Sequence, residues 1–155
     1  MPRRRLRLVR NSRSKSFSLW LPKLGRKMKL TSLSSIDYSP PVLEREIKKL
    51  ELQNGLVPFD QWFDALHDRK MQVAVDARLT RVRAGNFGDC KSVGGGVFEL
   101  RIAMGPGLRV YYGLHGQQVV ILLGGGDKST QARDIRQAQQ LWQQFTKHAS
   151  EKLQD

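Results

Sequence analysis

A chain of 155 residues with 39% apolar side chains suits one domain with a modest core, and a net charge of +13 suggests a polyanionic partner until its position is considered. The lone Cys90 permits no internal disulfide, the three histidines lack zinc-site spacing, and no apolar run reaches the roughly 18 to 20 residues that span a bilayer. These features argue against a disulfide scaffold, a zinc module or a membrane protein, and a cytoplasmic protein without metal or cofactor is expected.

The charge lies at the front. Residues 1–36 hold eleven Lys or Arg and no acid, leaving 16 basic against 14 acidic residues, a net of +2, from Asp37 onward. The expected division is a basic extension over 1–36, read as a disordered arm, and a folded body over 37–155. Rich in Arg and Ser, the arm is also compatible with an organelle transit peptide, with an upstream extension before a start at Met28, or with a polycation that grips RNA by releasing counterions.

Pro40 and Pro41 end the linker. In "REIKKLELQNG", Leu43, Ile47 and Leu50 suit a helix, whereas the alternation from Lys48 to Leu52 and the Asn-Gly signal favour a strand, which is the reading adopted. Pro58 suits a first helical position, and Phe59, Trp62, Phe63 and Leu66 recur at i, i+3, i+4, i+7. A second helix follows, with Met71, Val75, Leu79 and Val82 inward and Gly85 as its stop, completing a helical hairpin. Its Arg78 and Arg81 read as a solvated face, or as RNA contacts if a reactive sheet lies near.

Side-chain parity governs "FELRIAMGPGLRVYY". Phe98, Leu100 and Ile102 point one way, and beyond the Gly105-Pro106-Gly107 turn Leu108, Val110 and Tyr112 form a matching apolar row that packs on the helices. Glu99, Arg101, Arg109 and Tyr111 are then expected to face solvent, with Arg101 opposite Arg109 and Glu99 opposite Tyr111. Two guanidinium groups side by side repel, which a nearby Glu99 eases and a phosphate would ease further. After a turn at His115 and Gly116, "QQVVILLGGG" reads as a central strand, and Ile135, Ala138, Leu141, Trp142, Phe145 and Ala149 mark a long final helix from about Thr130.

"GGGDKST" is not a Walker A loop, because Asp127 stands where that motif needs Gly before its Lys. Its glycines are expected to turn the last strand into the last helix, leaving Lys128 at the sheet rim. Lys91 approaches the same surface from "CKSVGGG". Trp62 and Trp142 read as core, and His67, His115 and His148 have no catalytic partner. One acid, several cations and a tyrosine on one face suit RNA cleavage: a base frees the ribose 2'-hydroxyl to attack the adjacent phosphate, cations stabilise the crowded anion, and an acid protonates the departing 5'-oxygen. An ordinary surface of solvated salt bridges would present the same residues.

The succession "PFDQWFDALHDRK", "KSVGGGVFELRIAMGPGLRVYY" and "VVILLGGGDKSTQARDI", covering about residues 44 to 146, resembles the RelE/ParE superfamily of toxins, in particular its HigB-like branch of addiction module killer proteins. The resemblance implies an α+β fold, a small twisted, mainly antiparallel sheet with an N-terminal helical hairpin and a C-terminal helix, and it settles "REIKKLEL" as the first strand. It further implies the toxin of a type II toxin-antitoxin system, a metal-independent endoribonuclease acting on messenger RNA at the ribosome and silenced by a helix-turn-helix antitoxin. Matched by motif, Arg109 stabilises the scissile phosphate beside Arg101, Glu99 is the candidate general base, Lys128 lies near the leaving group, and Lys91, with Tyr111, Arg78 and Arg81, holds RNA. The sequence departs from the pattern in lacking a C-terminal Tyr or His acid, since His148 lies too far along the helix. That leaves Lys128, Tyr111 or no acid at all. Leu108 also replaces a common aromatic. Two rivals follow: a non-catalytic toxin of this fold that inhibits DNA gyrase, and a basic RNA-binding module whose arm is the active part.

Overall fold

The computed structural model describes residues 7–10 and 43–153. Within them, β1 (Arg7–Arg10), β2 (Glu46–Glu51), α1 (Pro58–Asp64), α2 (Arg69–Arg83), β3 (Cys90–Gly94), β4 (Val97–Ile102), β5 (Leu108–His115), β6 (Val119–Asp127) and α3 (Gln131–Lys152) follow in chain order. The strands form one sheet in the order β1-β2-β6-β5-β4-β3, antiparallel except for the parallel pair β2 and β6. The expected α+β architecture is present.

Each helix forms for a local reason. Pro58 opens α1, where its missing N–H costs no hydrogen bond. Asp68 caps α2 by accepting from the Lys70 N–H at 2.8 Å. Gln72, one turn into α2, donates from Nε2 to the carbonyls of Phe63 and Leu66, each at 3.2 Å, so a side-chain amide satisfies the end of α1 and fixes the connection.

Because side chains alternate along a strand, the sheet buries two cores. On one face, Leu100, Leu108, Val110, Tyr112, Val120 and Leu122 meet Phe59 and Phe63 of α1 and Val75, Leu79 and Val82 of α2. On the other, Leu50, Val97, Tyr111, Ile121 and Leu123 meet Ala138, Leu141 and Trp142 of α3. The apolar row read from parity therefore packs on α1 and α2 as expected, and the final helix covers the opposite face rather than leaving it to solvent.

Two expectations are corrected here. The glycines of "GGGDKST" do not turn the chain: β6 continues through Gly124, Gly125 and Gly126 to Asp127. Gly125 and Gly126 are small because the helices lie directly on them, whereas nothing lies within 4 Å of a Cβ built on Gly124. A Cβ on Gly125 would collide with the Trp62 ring from α1, and one on Gly126 would collide with the Asp134 carboxylate from α3. A register shift beside them, where Tyr111 pairs with Gly124 and Tyr112 with Leu122, leaves Leu123 as the extra residue of a bulge. The second correction concerns the basic extension. Four of its residues, Arg7–Arg10, are an edge strand antiparallel to β2, with Arg7 opposite Glu51 and Leu8 opposite Leu50. The rest of 1–36, and Pro40 and Pro41, lie outside the described residues.

Candidate phosphate-binding site

The β4–β5 hairpin pairs Arg101 with Arg109 and Glu99 with Tyr111, in the register parity predicts. On β3, Lys91 is the cross-strand neighbour of Glu99. Cross-strand partners share a face, so Lys91, Glu99 and Tyr111 form one row and Arg101 and Arg109 the next, both on the α3 side of the sheet.

The expectation that all four hairpin residues face solvent fails for two of them. Glu99 is 0% exposed and Tyr111 is buried, because the first turn of α3 lies over them. Gln131, the first residue of α3, donates from Nε2 to Glu99 Oε2 at 2.8 Å. The other carboxylate oxygen accepts from Arg101 Nε at 2.9 Å and lies 3.5 Å from Arg109 Nε, an ion pair without hydrogen-bond geometry. Arg109 turns its tip instead to the Gly107 carbonyl, donating from Nη1 at 2.9 Å.

The electrostatics follow from these contacts. Burial pushes the Glu99 carboxyl upward, but the hydrogen bonds from Arg101 and Gln131 and the charges of Arg109 and Arg101 outweigh it, and the net shift is below the ordinary carboxylate value. Glu99 is a fixed anion with both oxygens engaged. Tyr111 goes the other way: burial first, then the negative charges of Glu99 and Asp134, raise its phenol well above the ordinary value. Its hydroxyl makes no hydrogen bond of good geometry, although the Glu99 carboxylate lies near enough to help hold its proton. A buried phenol held so firmly neutral is a poor proton donor, which removes Tyr111 from the candidates for general acid and for RNA contact.

What remains accessible is cationic. Arg101 keeps 37% of its side chain exposed and Arg109 keeps 13%. Lys91 and Lys128 are exposed. A Cβ on Gly107 would stand 3.3 Å from Arg109 Nη1 and 3.8 Å from Lys128 Cβ, so the guanidinium tip and the root of Lys128 flank one glycine, whose φ of +81° also favours that residue type. Lys128 thus stands beside Arg109 at the sheet rim, although its strand arrives there without the expected turn. Asp127 holds the rim loop by accepting from the Ser129 N–H at 2.7 Å and from the Ser129 hydroxyl at 2.5 Å.

Arg78 and Arg81 do not join this cluster. Both belong to α2, across the sheet from Glu99. Arg78 is a strut: its Nη2 donates to the carbonyls of Asp89 at 2.9 Å and Arg101 at 2.8 Å, fixing the start of β3 against β4. Arg81 is exposed on the outer side of α2. His148 bonds to Glu151 at 3.4 Å near the far end of α3, about 25 Å along the helix from Gln131. Gln131 is the residue sequence reasoning misses. Its signal was its position one turn before Ile135, on the buried stripe that continues through Ala138 and Trp142.

Two engaged guanidinium groups beside two exposed lysines, at the first turn of a helix, are donors of the type and charge that suit an oxyanion. The family described as "Phage derived protein Gp49-like (DUF891)" matches residues 61–143, from α1 through most of α3, and the match contains the whole hairpin. The chain belongs to the Gp49-like family. This family lies within the RelE/ParE-like toxin superfamily, and membership points to the toxin of a toxin-antitoxin pair with an antitoxin as its partner. A Haemophilus influenzae relative of this Gp49-like protein, described as an uncharacterized protein, is 50% identical over 87 residues, which are 56% of this chain and 88% of the relative. No solved structure matches the chain. Among the described residues, no helix is long and apolar enough to cross a membrane.

Proposed function

We propose that this Gp49-like protein is a HigB-like toxin of a type II toxin-antitoxin system that cleaves messenger RNA on the ribosome, in the cytoplasm, and is silenced by a helix-turn-helix antitoxin. The observation that carries the reading is the pairing of Arg101 and Arg109 over the buried carboxylate of Glu99. A phosphodiester seated against the two guanidinium groups gains a preorganised positive field where charge develops as the 2'-oxygen attacks phosphorus. Arg109 carries the largest share, because its charge is the more sheltered from water. Lys128, which flanks Gly107 together with Arg109, is assigned in this reading to protonate the departing 5'-oxygen, and Lys91 to steady the neighbouring backbone.

Glu99 has a different task from the general base of the sequence reading. Enclosed and bonded through both oxygens, it positions the arginines and does not reach a 2'-hydroxyl. The 2'-hydroxyl gives its proton to solvent water as its oxygen bonds to phosphorus, the bond from phosphorus to the 5'-oxygen breaks, and Lys128 protonates that departing oxygen. The rate gain rests on phosphate stabilisation and in-line alignment, effects each worth about a hundredfold or more.

The same burial favours a second reading, a non-catalytic toxin of this fold that binds and inhibits DNA gyrase, because the carboxylate on the arginine face, Glu99, is enclosed and engaged through both oxygens rather than free to act as base. Expression of residues 37–155 with and without Arg109→Ala separates the two. Growth arrest with fragmented messenger RNA, lost in the variant, supports cleavage. Arrest with intact messenger RNA and trapped gyrase-DNA complexes supports the rival.

A further inference from the structure

The outer face of α3 is absorbed by neither core nor site. Arg133, Arg136, Gln137, Gln140, Gln144 and Lys147 are all exposed. At 3.6 residues per turn they fall within an arc of about 100°, opposite the buried stripe, and extend about 21 Å along the helix. An exposed helical face is ordinarily stabilised by acidic and basic residues four apart. This one carries cations and amides and meets no acid before Glu151. Asp134, the only other acid of the helix, is turned under it: its side chain is 10% exposed and accepts from the Thr130 hydroxyl over Gly126, leaving one oxygen 3.4 Å from Arg133 Nε. Arg133 itself remains 71% exposed.

The geometry points to this stripe as a track for the RNA strand beyond the scissile phosphate. The track begins two residues after Gln131, on the side of α3 opposite the side chain that bonds Glu99, so a strand leaving the site reaches it by crossing the first turn of the helix. Cations meet phosphates, and the intervening amides, each both donor and acceptor, meet 2'-hydroxyls and base edges. The inference rests on the reading of RNA as substrate, yet it is tested by binding alone.

The test is titration of an unstructured single-stranded RNA oligomer across a salt series, with far-UV circular dichroism as the check on folding. For Arg133→Gln, Arg136→Gln and Lys147→Gln combined, the slope of log affinity against log salt falls by about 2, since each phosphate contact on a single strand contributes about 0.7. Arg136→Gln alone gives about a third of that loss and serves if the triple variant does not fold. Replacing Gln137, Gln140 and Gln144 with Ala weakens binding without changing the slope. Arg109→Ala keeps the track's share of the slope even if cleavage is abolished, or was never present, so failure of the cleavage reading and failure of the track are told apart. A triple variant with the wild-type slope overturns the proposal, as does one that loses affinity for an acidic antitoxin segment while its RNA binding is unchanged.

Discussion

Arg101 on β4 stands directly across from Arg109 on β5, and both guanidinium groups lean on one buried carboxylate, Glu99. Like charges opposed across a sheet destabilise it. Replacing the shared anion with an amide leaves two cations without their counter-charge and keeps one acceptor oxygen where Arg101 and Gln131 each used one. Glu99→Gln is therefore expected to cost about 2 to 4 kcal/mol, measured by urea unfolding. A loss below about half a kcal/mol would mean that the arginines are held by something else.

The same carboxylate sets an acid limit. Its native pKa lies below the ordinary 4.5, so it contributes stability that is complete above that value and is lost as pH falls through the depressed native value. Thermal unfolding of the wild type should drop more steeply below about pH 4.5 than that of Glu99→Gln, and the two curves should converge in acid. Gln131→Ala, with one hydrogen bond fewer to the anion, should shift the decline to higher pH.

Tyr111 presents the opposite case. Its buried hydroxyl makes no hydrogen bond of good geometry, so Tyr111→Phe removes a poorly satisfied polar atom and keeps the ring. Stability should hold or rise by up to about 1 kcal/mol, and toxicity should persist. Loss of toxicity in a well-folded Tyr111→Phe protein would restore the phenol as a proton donor.

Gly125 tests the packing of α1 on the sheet. With Trp62 lying against it, Gly125→Ala should destabilise by about 1 to 3 kcal/mol. Trp62→Ala opens that space, and the double variant should be more stable than the two single losses sum to, a coupling readable in a double-mutant cycle. Additive losses would show that the ring does not limit the strand.

Much of this was legible in the chain. The helix spacing of Phe59, Phe63, Val75, Leu79 and Val82 and the hairpin register of Arg101 with Arg109 follow from local periodicity, which depends on neighbours in sequence. What failed was the environment of one face. Parity states that Glu99 and Tyr111 share a side of the sheet, but not that α3, some 30 residues later, returns to cover it. Even so, the α3 stripe of Ile135, Ala138, Leu141 and Trp142 needed an apolar surface, and the α1–α2 face was already filled. Gly125 and Gly126 were misread because small size against a tryptophan and a carboxylate looks the same in sequence as freedom to turn. The strand at Arg7–Arg10 was hidden within an extension whose charge dominated its reading.

The central claim is that the paired arginines form the seat of a scissile phosphate, and single-turnover cleavage of messenger RNA on purified ribosomes measures it most directly. The account predicts a loss of about a hundredfold or more for Arg109→Ala, a comparable loss for Glu99→Gln through displacement of both arginines, and a wild-type rate for Tyr111→Phe. Cleavage by Arg109→Ala at the wild-type rate would contradict it.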